Sequence, residues 1–231
     1  MISDLPIYVY ATFFLALIFV LAIFYYASNK NLKLFIGIIA WGTLHSALAY
    51  SGFYENMKTV PPRMMLIVFP IVIIIISSIF SQKMKKWLSS LDLKKLLYLQ
   101  VVRVPVELTL FWLFMANYVP EIITFEGQNF DIIAGVTAPI MALIAFRNNK
   151  INKPLLWTWH ILSILLLLNI IITALISTPT VFQQIAFEQP NLAMFRFPFL
   201  LLPGIIVPLV LVSNIAGFVI LSRQRTEISK Q

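Results

Sequence analysis

The sequence contains no cysteine and only two histidines among its 231 residues. The absence of cysteine excludes disulfides, iron–sulfur clusters, thiolate zinc sites and cysteine nucleophiles. The two histidines, His45 and His160, are too few for an all-histidine metal cluster. We therefore expect neither a metal site nor a cofactor.

Charge is also scarce, because charged residues make up 11% of the chain whereas hydrophobic residues make up 60%. Soluble domains usually hold about 25% charged and about 45–50% apolar residues. A soluble fold of this size cannot hide so much apolar surface, since its own exterior needs polar side chains. The composition excludes a soluble enzyme, a disordered chain and a nucleic-acid-binding module. It predicts a polytopic protein whose partners are membrane lipids and not nucleic acid.

Seven apolar runs approach the length of about 20 residues that a helix needs to cross the hydrocarbon core. The amino-terminal residues lack the basic segment and cleavage site of a signal peptide, so the first run counts as the first span. We predict an all-α fold that forms one seven-helix transmembrane domain over residues 1–231. The runs cover residues 7–26, 34–51, 64–80, 96–118, 130–146, 154–176 and 197–222.

The basic residues between these runs collect on one side of the predicted membrane. Thirteen lie on that side: Lys30, Lys33, Lys83, Lys85, Lys86, Lys94, Lys95, Arg147, Lys150, Lys153, Arg223, Arg225 and Lys230. Three lie on the other: Lys58, Arg63 and Arg196. The positive-inside rule then predicts an outer amino terminus and an inner carboxyl terminus. The net charge of +8 follows from this asymmetry.

The fourth run carries two opposite charges, in the segment Arg103-Val-Pro-Val-Glu107. A charge near the bilayer centre costs about 2.5–3.5 kcal/mol on the insertion scale, so both side chains should face the bundle interior. Their spacing of four residues puts them on one helix face, where they can form a direct ion pair. Two interpretations stay open. The pair is either a structural brace, or a polar pocket where Arg103 holds a carboxylate or phosphate and Glu107 accepts a proton.

A second polar segment precedes the fifth run. Asn129 is a suitable N-cap, and Asp131 in the first helical turn complements the helix dipole. Alternatively, Glu126, Asn129 and Asp131 line the mouth of a pocket. Gly135, one turn further, would let a neighbouring helix approach closely.

Four more polar or aromatic residues are candidates. His45 shares a helix face with Trp41, Asn117 continues the face of the charged pair, and Asn169 is explained equally well by interhelical hydrogen bonding. His160 lies beside two tryptophans and is expected to be an anchor at the inner interface. The candidate ligand-binding residues are thus Trp41, His45, Arg103, Glu107, Asn117, Glu126, Asn129, Asp131 and Asn169.

The chain resembles an uncharacterised family of small bacterial seven-span membrane proteins. The resemblance rests on Arg103-Val-Pro-Val-Glu107, Phe125-Glu-Gly-x-Asn129-Phe-Asp131, Phe187-Glu-Gln-Pro-Asn191 and Phe197-Pro-Phe199. It implies the multi-pass architecture and a bacterial cytoplasmic (inner) membrane, and it implies no chemistry.

The functional prediction is a non-enzymatic protein with an outward-opening polar pocket around Arg103 and Glu107. This pocket would bind a small anionic or amphipathic ligand. Transport of that ligand across the membrane is left open as an additional activity. One alternative is an intramembrane enzyme that acts on a lipid or isoprenoid, with Glu107 as general acid. Another is a structural subunit of a membrane complex, and a homo-oligomer is also left open.

Overall fold

The computed structural model describes residues 2, 4–57, 59–147 and 151–228, which form eight α-helices. Lys58, Lys150 and Lys230, which contributed to the predicted orientation, lie outside the described residues. The helices are α1 (Ile7–Ala27), α2 (Leu32–Tyr50), α3 (Met65–Phe80), α4 (Gln82–Leu88), α5 (Leu93–Met115), α6 (Asp131–Ala145), α7 (Lys153–Ile176) and α8 (Val207–Ile228).

Five helices are long and apolar enough to cross a membrane: α1, α2, α5, α7, and α8 together with the π-helical turn Leu202–Ile206 that precedes it. Helices α3 and α4 meet at an angle of 100° and together make a sixth candidate span. Helix α6 is apolar but has only 15 residues. The protein is therefore an integral, multi-pass membrane protein, and the all-α prediction is confirmed. The count of seven spans stays a prediction.

Polar side chains set where four of the helices begin. Asn31, Ser81, Asp92 and Asn152 each accept a hydrogen bond from a backbone amide in the first turn of the helix that follows. Such N-caps satisfy amides that have no partner within the helix. Helix α5 ends at Met115, three residues earlier than the predicted run, because Asn117 takes a left-handed φ of 63°.

The bundle is built around α8 and α5. In the most apolar 18-residue stretch of these helices, 78% and 61% of the residues are buried. Helix α2 is peripheral, because only 17% of the residues in its most apolar 18-residue stretch are buried. It approaches the bundle at Gly42, where an added Cβ would lie 2.6 Å from Ile205 Cδ1. Large apolar side chains on the outer faces of α1, α2, α3, α6 and α7 are exposed, as expected for helices whose solvent is lipid.

The connections gather at the two ends of the bundle. At one end, which we call the basic end, segments 28–31 and 81–92 meet through hydrogen bonds from the Asp92 amide to Ala27 O and from Asn29 Nδ2 to Ser90 O. At the other, which we call the loop end, segment 116–130 contacts segment 177–201. There Gln189 Nε2 donates to Val119 O at 2.7 Å.

Helix α6 packs on α5 through small residues. An added Cβ at Gly135 would lie 2.9 Å from Val104 Cγ2 and 3.0 Å from Val104 N. Ala138 and Ala142 continue this seam and are fully buried. The prediction that Gly135 allows close approach of a neighbouring helix is confirmed, and the neighbour is α5 beside Arg103.

Replacing Gly135 by alanine should force α6 away from α5. We expect Gly135→Ala to lower the free energy of unfolding by about 1–3 kcal/mol, the usual cost of overpacking. The matched control is Gly37→Ala in α2, where an added Cβ meets nothing within 4 Å. The control should be neutral or mildly stabilising, because alanine favours helix over glycine by about 1 kcal/mol. Thermal unfolding in detergent measures both, and equal midpoints would contradict the packing.

Candidate functional site

Three ionisable side chains lie buried together in the middle of the bundle. Arg103, Glu107 and Asp131 are 2%, 1% and 5% exposed. Arg103 lies about 15 Å and Glu107 about 21 Å along α5 from its first residue, at 1.5 Å per residue. We call Arg103, Glu107, Asn129, Asp131 and Ser163 the charged layer.

Arg103 pairs with Asp131, and not with Glu107 as the spacing within the helix allowed. Arg103 Nη1 lies 2.9 Å from Asp131 Oδ1 and also donates to the backbone oxygen of Ser163 at 3.2 Å. The cause is the close approach at Gly135, which brings the first turn of α6 against α5 at Arg103. The ion pair thus joins two helices.

Asn129 occupies the position beside Glu107 where the arginine was expected. Its Nδ2 donates to Glu107 Oε1 at 2.5 Å and to Ile123 O at 3.0 Å. Its Oδ1 accepts the Asp131 amide at 3.0 Å. The N-cap position of α6 itself is Phe130, which makes no side-chain cap. Asn129 therefore ties both carboxylate residues to the loop that precedes α6.

Several polar atoms of the charged layer have no hydrogen-bond partner. They are Arg103 Nε and Nη2, Glu107 Oε2 and Ser163 Oγ, and all are buried. Arg103 alone leaves three N–H groups unmatched, since Nε carries one hydrogen and Nη2 two. Buried polar groups in native proteins are nearly always paired with protein or ordered water. The layer therefore has the donors and acceptors to hold water inside the bundle.

A second polar layer lies closer to the basic end. Gln100 Nε2 donates to Ser213 Oγ at 2.7 Å, and Ser213 Oγ donates to Leu96 O at 2.9 Å. His160 Nδ1 lies 3.2 Å from Asn214 Oδ1. His160 is fully buried, so its predicted role as an anchor at the interface is wrong.

The reason is Gly217, which leaves the space on α8 that the imidazole of His160 fills. The sequence feature that could have indicated this contact is Gly217, three residues after Asn214 and on the same face of α8. Sequence reasoning also left Ser163 out of the candidate set. Serine is common in membrane spans, and its contact with Arg103 involves a backbone oxygen.

His45 and Trp41 lie outside the charged layer, on the peripheral helix α2. His45 Nδ1 is hydrogen-bonded to the hydroxyl of Tyr54, and the His45 and Trp41 ring centroids are 4.0 Å apart. Burial raises the pKa of Tyr54 to about 12, so its hydroxyl stays protonated at neutral pH. These residues make a separate cluster that fixes segment 53–55 to α2.

The three remaining candidates are exposed at the loop end. Asn117 ends α5 in the left-handed conformation, and Glu126 lies in the loop before α6. Asn169 Nδ2 donates to Gln128 O at 2.9 Å, which holds that loop against α7. In the part of the chain that the structure describes, no three histidine, aspartate or glutamate side chains come together as metal ligands.

An apolar cavity of about 80 Å³ lies between the charged layer and the loop end. Among the described residues that line it, none belongs to the nine sequence candidates. Asn191 is one of the few polar residues in the lining, and its buried Oδ1 has no hydrogen-bond partner among the described residues. The apolar lining comes from α1, α3, α5, α7 and the turn before α8, with Phe13, Val68, Leu110, Ile170 and Leu202 as examples.

Removing one charge of the Arg103–Asp131 pair should strongly destabilise the bundle. We expect Asp131→Asn to cost about 3–5 kcal/mol, because it breaks the buried ion pair that joins α5 to α6. The matched control is Asp92→Asn, which keeps the N-cap oxygen and removes a partly exposed pair with Lys95. Its cost should stay below about 1 kcal/mol. Unfolding in detergent measures both, and a small effect of Asp131→Asn would show that the pair does not hold α6.

Comparison with protein families places residues 60–222 in the domain of unknown function DUF8737. Comparison with curated proteins and with solved structures finds no match. The matched range takes in α3 to α7 and most of α8, and so includes the charged layer and most of the cavity lining. The chain belongs to the DUF8737 family.

Proposed function

We propose that the protein binds a hydrocarbon-chain amphipath in the apolar cavity at the loop end. The observation that carries this proposal is an apolar cavity whose lining includes Asn191, a residue whose buried Oδ1 has no hydrogen-bond partner in the described part of the chain. A cavity of about 80 Å³ exceeds several-fold the space that one water needs, and apolar walls disfavour water. A cavity of this size holds the polar end and the first few carbons of a chain-shaped molecule, and the rest of the chain extends outward between the helices.

The polar end of the ligand is a hydrogen-bond donor, because Asn191 offers an acceptor. The Asn191 Nδ2 donates to Ala174 O at 3.5 Å and to Met194 Sδ at 2.6 Å. The donor side of the amide is therefore occupied, and Oδ1 is left as the acceptor. A hydroxyl group is the simplest donor that a long apolar chain carries. The ligand class is therefore a fatty or isoprenoid alcohol.

The geometry favours an amphipathic ligand over a small anion. A small anion would compete with Asp131 for Arg103, which already makes a buried ion pair at 2.9 Å. The cavity lining contains neither Arg103 nor Glu107. Segment 177–201 covers the loop end through backbone hydrogen bonds from Leu192 and Ala193 to Tyr118 O, so access from that end requires these contacts to open.

For the membrane topology we propose seven spans with the loop end outside, in a bacterial cytoplasmic membrane. The bent pair α3–α4 supplies a sixth span, and α6 supplies the seventh despite its 15 residues. Its first turn is held inside the bundle by Arg103, so the preceding segment 116–130 completes the crossing to the loop end. The basic residues of segments 28–31 and 81–92 then face inward, as the positive-inside rule requires.

A chain without cysteine allows this topology to be read from single cysteines with no background. We expect Glu126→Cys, at the loop end, to react with a membrane-impermeant maleimide on intact cells. Ser90→Cys, which is exposed at the basic end, should react only after permeabilisation. The opposite pattern, or equal reaction at both sites, would contradict the proposed orientation.

Filling the cavity should abolish ligand binding. The probes are a diazirine derivative of 1-decanol and the matched derivative of decane, with cross-linked sites mapped by mass spectrometry. We expect Leu110→Trp to eliminate cross-linking to the cavity walls, because Leu110 lines the cavity. The control Leu162→Trp changes a lipid-facing residue of α7 and should leave cross-linking unchanged.

The same probes test the contact with Asn191. We expect Asn191→Ala to raise the concentration of the decanol probe needed for half-saturation about tenfold. This change corresponds to ~1.4 kcal/mol for one lost hydrogen bond. The decane probe should be unaffected. Equal cross-linking of the two probes in the unaltered protein would contradict the hydroxyl assignment, and cross-links confined to lipid-facing residues would contradict the cavity itself.

A further inference from the structure

The charged layer holds two carboxylates but one cation. Arg103 forms its ion pair with Asp131, and Glu107 receives only the neutral amide of Asn129. Glu107 Oε2 has no partner and is buried. A lone carboxylate in a low-dielectric interior is strongly disfavoured, so such a group binds a proton. With Glu107 neutral, the charges of the layer sum to zero.

Among the residues that the structure describes, the elements packed around Glu107 supply no second cation. Helix α6 contributes Asp131, and α7 contributes His160, one turn from Ser163 on the same face. Helix α1 contributes Tyr8, whose ring packs on Trp112, and Tyr10, whose hydroxyl bonds to Ile2. Helix α8 contributes the neutral side chains Ser213 and Asn214.

Glu107 is separated from the loop-end surface by a single layer of chain. Asn129 Nδ2 bridges Glu107 to the backbone oxygen of Ile123. The neighbouring residues Ile122 and Gln128 line a surface groove of about 470 Å³ on the other side of the same segment. In the opposite direction lies Arg103, and a fixed positive charge opposes proton passage. The polar route from Glu107 therefore leads to one end of the bundle.

We propose that Glu107 is a proton-binding carboxyl that exchanges its proton with water at the loop end, across segment 119–129. The proton passes from water to Glu107 Oε2 and returns by the same route, while Asp131 stays ionised beside Arg103. The site is thus a one-sided intramembrane proton site, and it does not depend on the ligand of the cavity.

Infrared difference spectroscopy of the protein in oriented proteoliposomes tests this proposal. At neutral pH we expect a carboxylic-acid C=O band that is lost in Glu107→Gln and kept in the control Glu55→Gln, which changes an exposed carboxyl at the loop end outside segment 119–129. The band should shift in deuterated buffer while the protein stays folded. Raising the pH on the loop side alone should remove it, and raising the pH on the basic side alone should not.

A second variant tests the charge balance between Arg103, Asp131 and Glu107 directly. In Asp131→Asn, measured under conditions where the variant is shown to stay folded, the guanidinium of Arg103 loses its partner, so Glu107 should ionise and the band should disappear although Glu107 is present. A band that persists in Glu107→Gln, that resists deuterium until unfolding, or that follows the basic-side pH would overturn the proposal. Absence of the band in the unaltered protein at neutral pH would overturn it as well.

Discussion

The ion pair between Arg103 and Asp131 is the contact on which the architecture of this bundle depends. It joins α5 to α6 at a depth where an isolated charge is costly, with 2.9 Å between Nη1 and Oδ1. Gly135 makes the approach of the two helices close enough for this contact. Because Arg103 is committed to Asp131, Glu107 is left to the amide of Asn129, and the proton chemistry proposed for Glu107 follows from that division.

The two proposed activities occupy adjacent parts of the same half of the molecule. The apolar cavity and the charged layer share segment 119–129, because Val119 and Ile123 line the cavity while Ile123 O is held by Asn129. A movement of this segment would change access to the cavity and the surroundings of Glu107 together. The basic end, by contrast, is closed by the Gln100–Ser213 and His160–Asn214 contacts. Both proposals therefore concern the loop end.

The lengths of the apolar runs sufficed to predict the long helices, since run length is a local property. The predicted N-cap Asn129 lies one residue before the actual N-cap position of α6, Phe130. The partner of Arg103 was not predictable in this way. A spacing of four residues shows only which side chains of one helix lie on the same face. Asp131 belongs to a different helix, and it reaches Arg103 because α6 packs against α5 at Gly135. His160 was misplaced for the same reason, because its burial depends on the gap that Gly217 leaves in α8. The cavity is lined by ordinary apolar residues of five helices, and no sequence motif marks it.

A double-mutant cycle on the free energy of unfolding in bicelles tests the central claim most directly. Arg103→Gln combined with Asp131→Asn is compared with Arg103→Gln combined with Glu107→Gln. The structure predicts a coupling of about 2–3 kcal/mol between Arg103 and Asp131, and a clearly smaller one between Arg103 and Glu107. A larger coupling of Arg103 to Glu107 would contradict the division of partners from which the rest of the account follows.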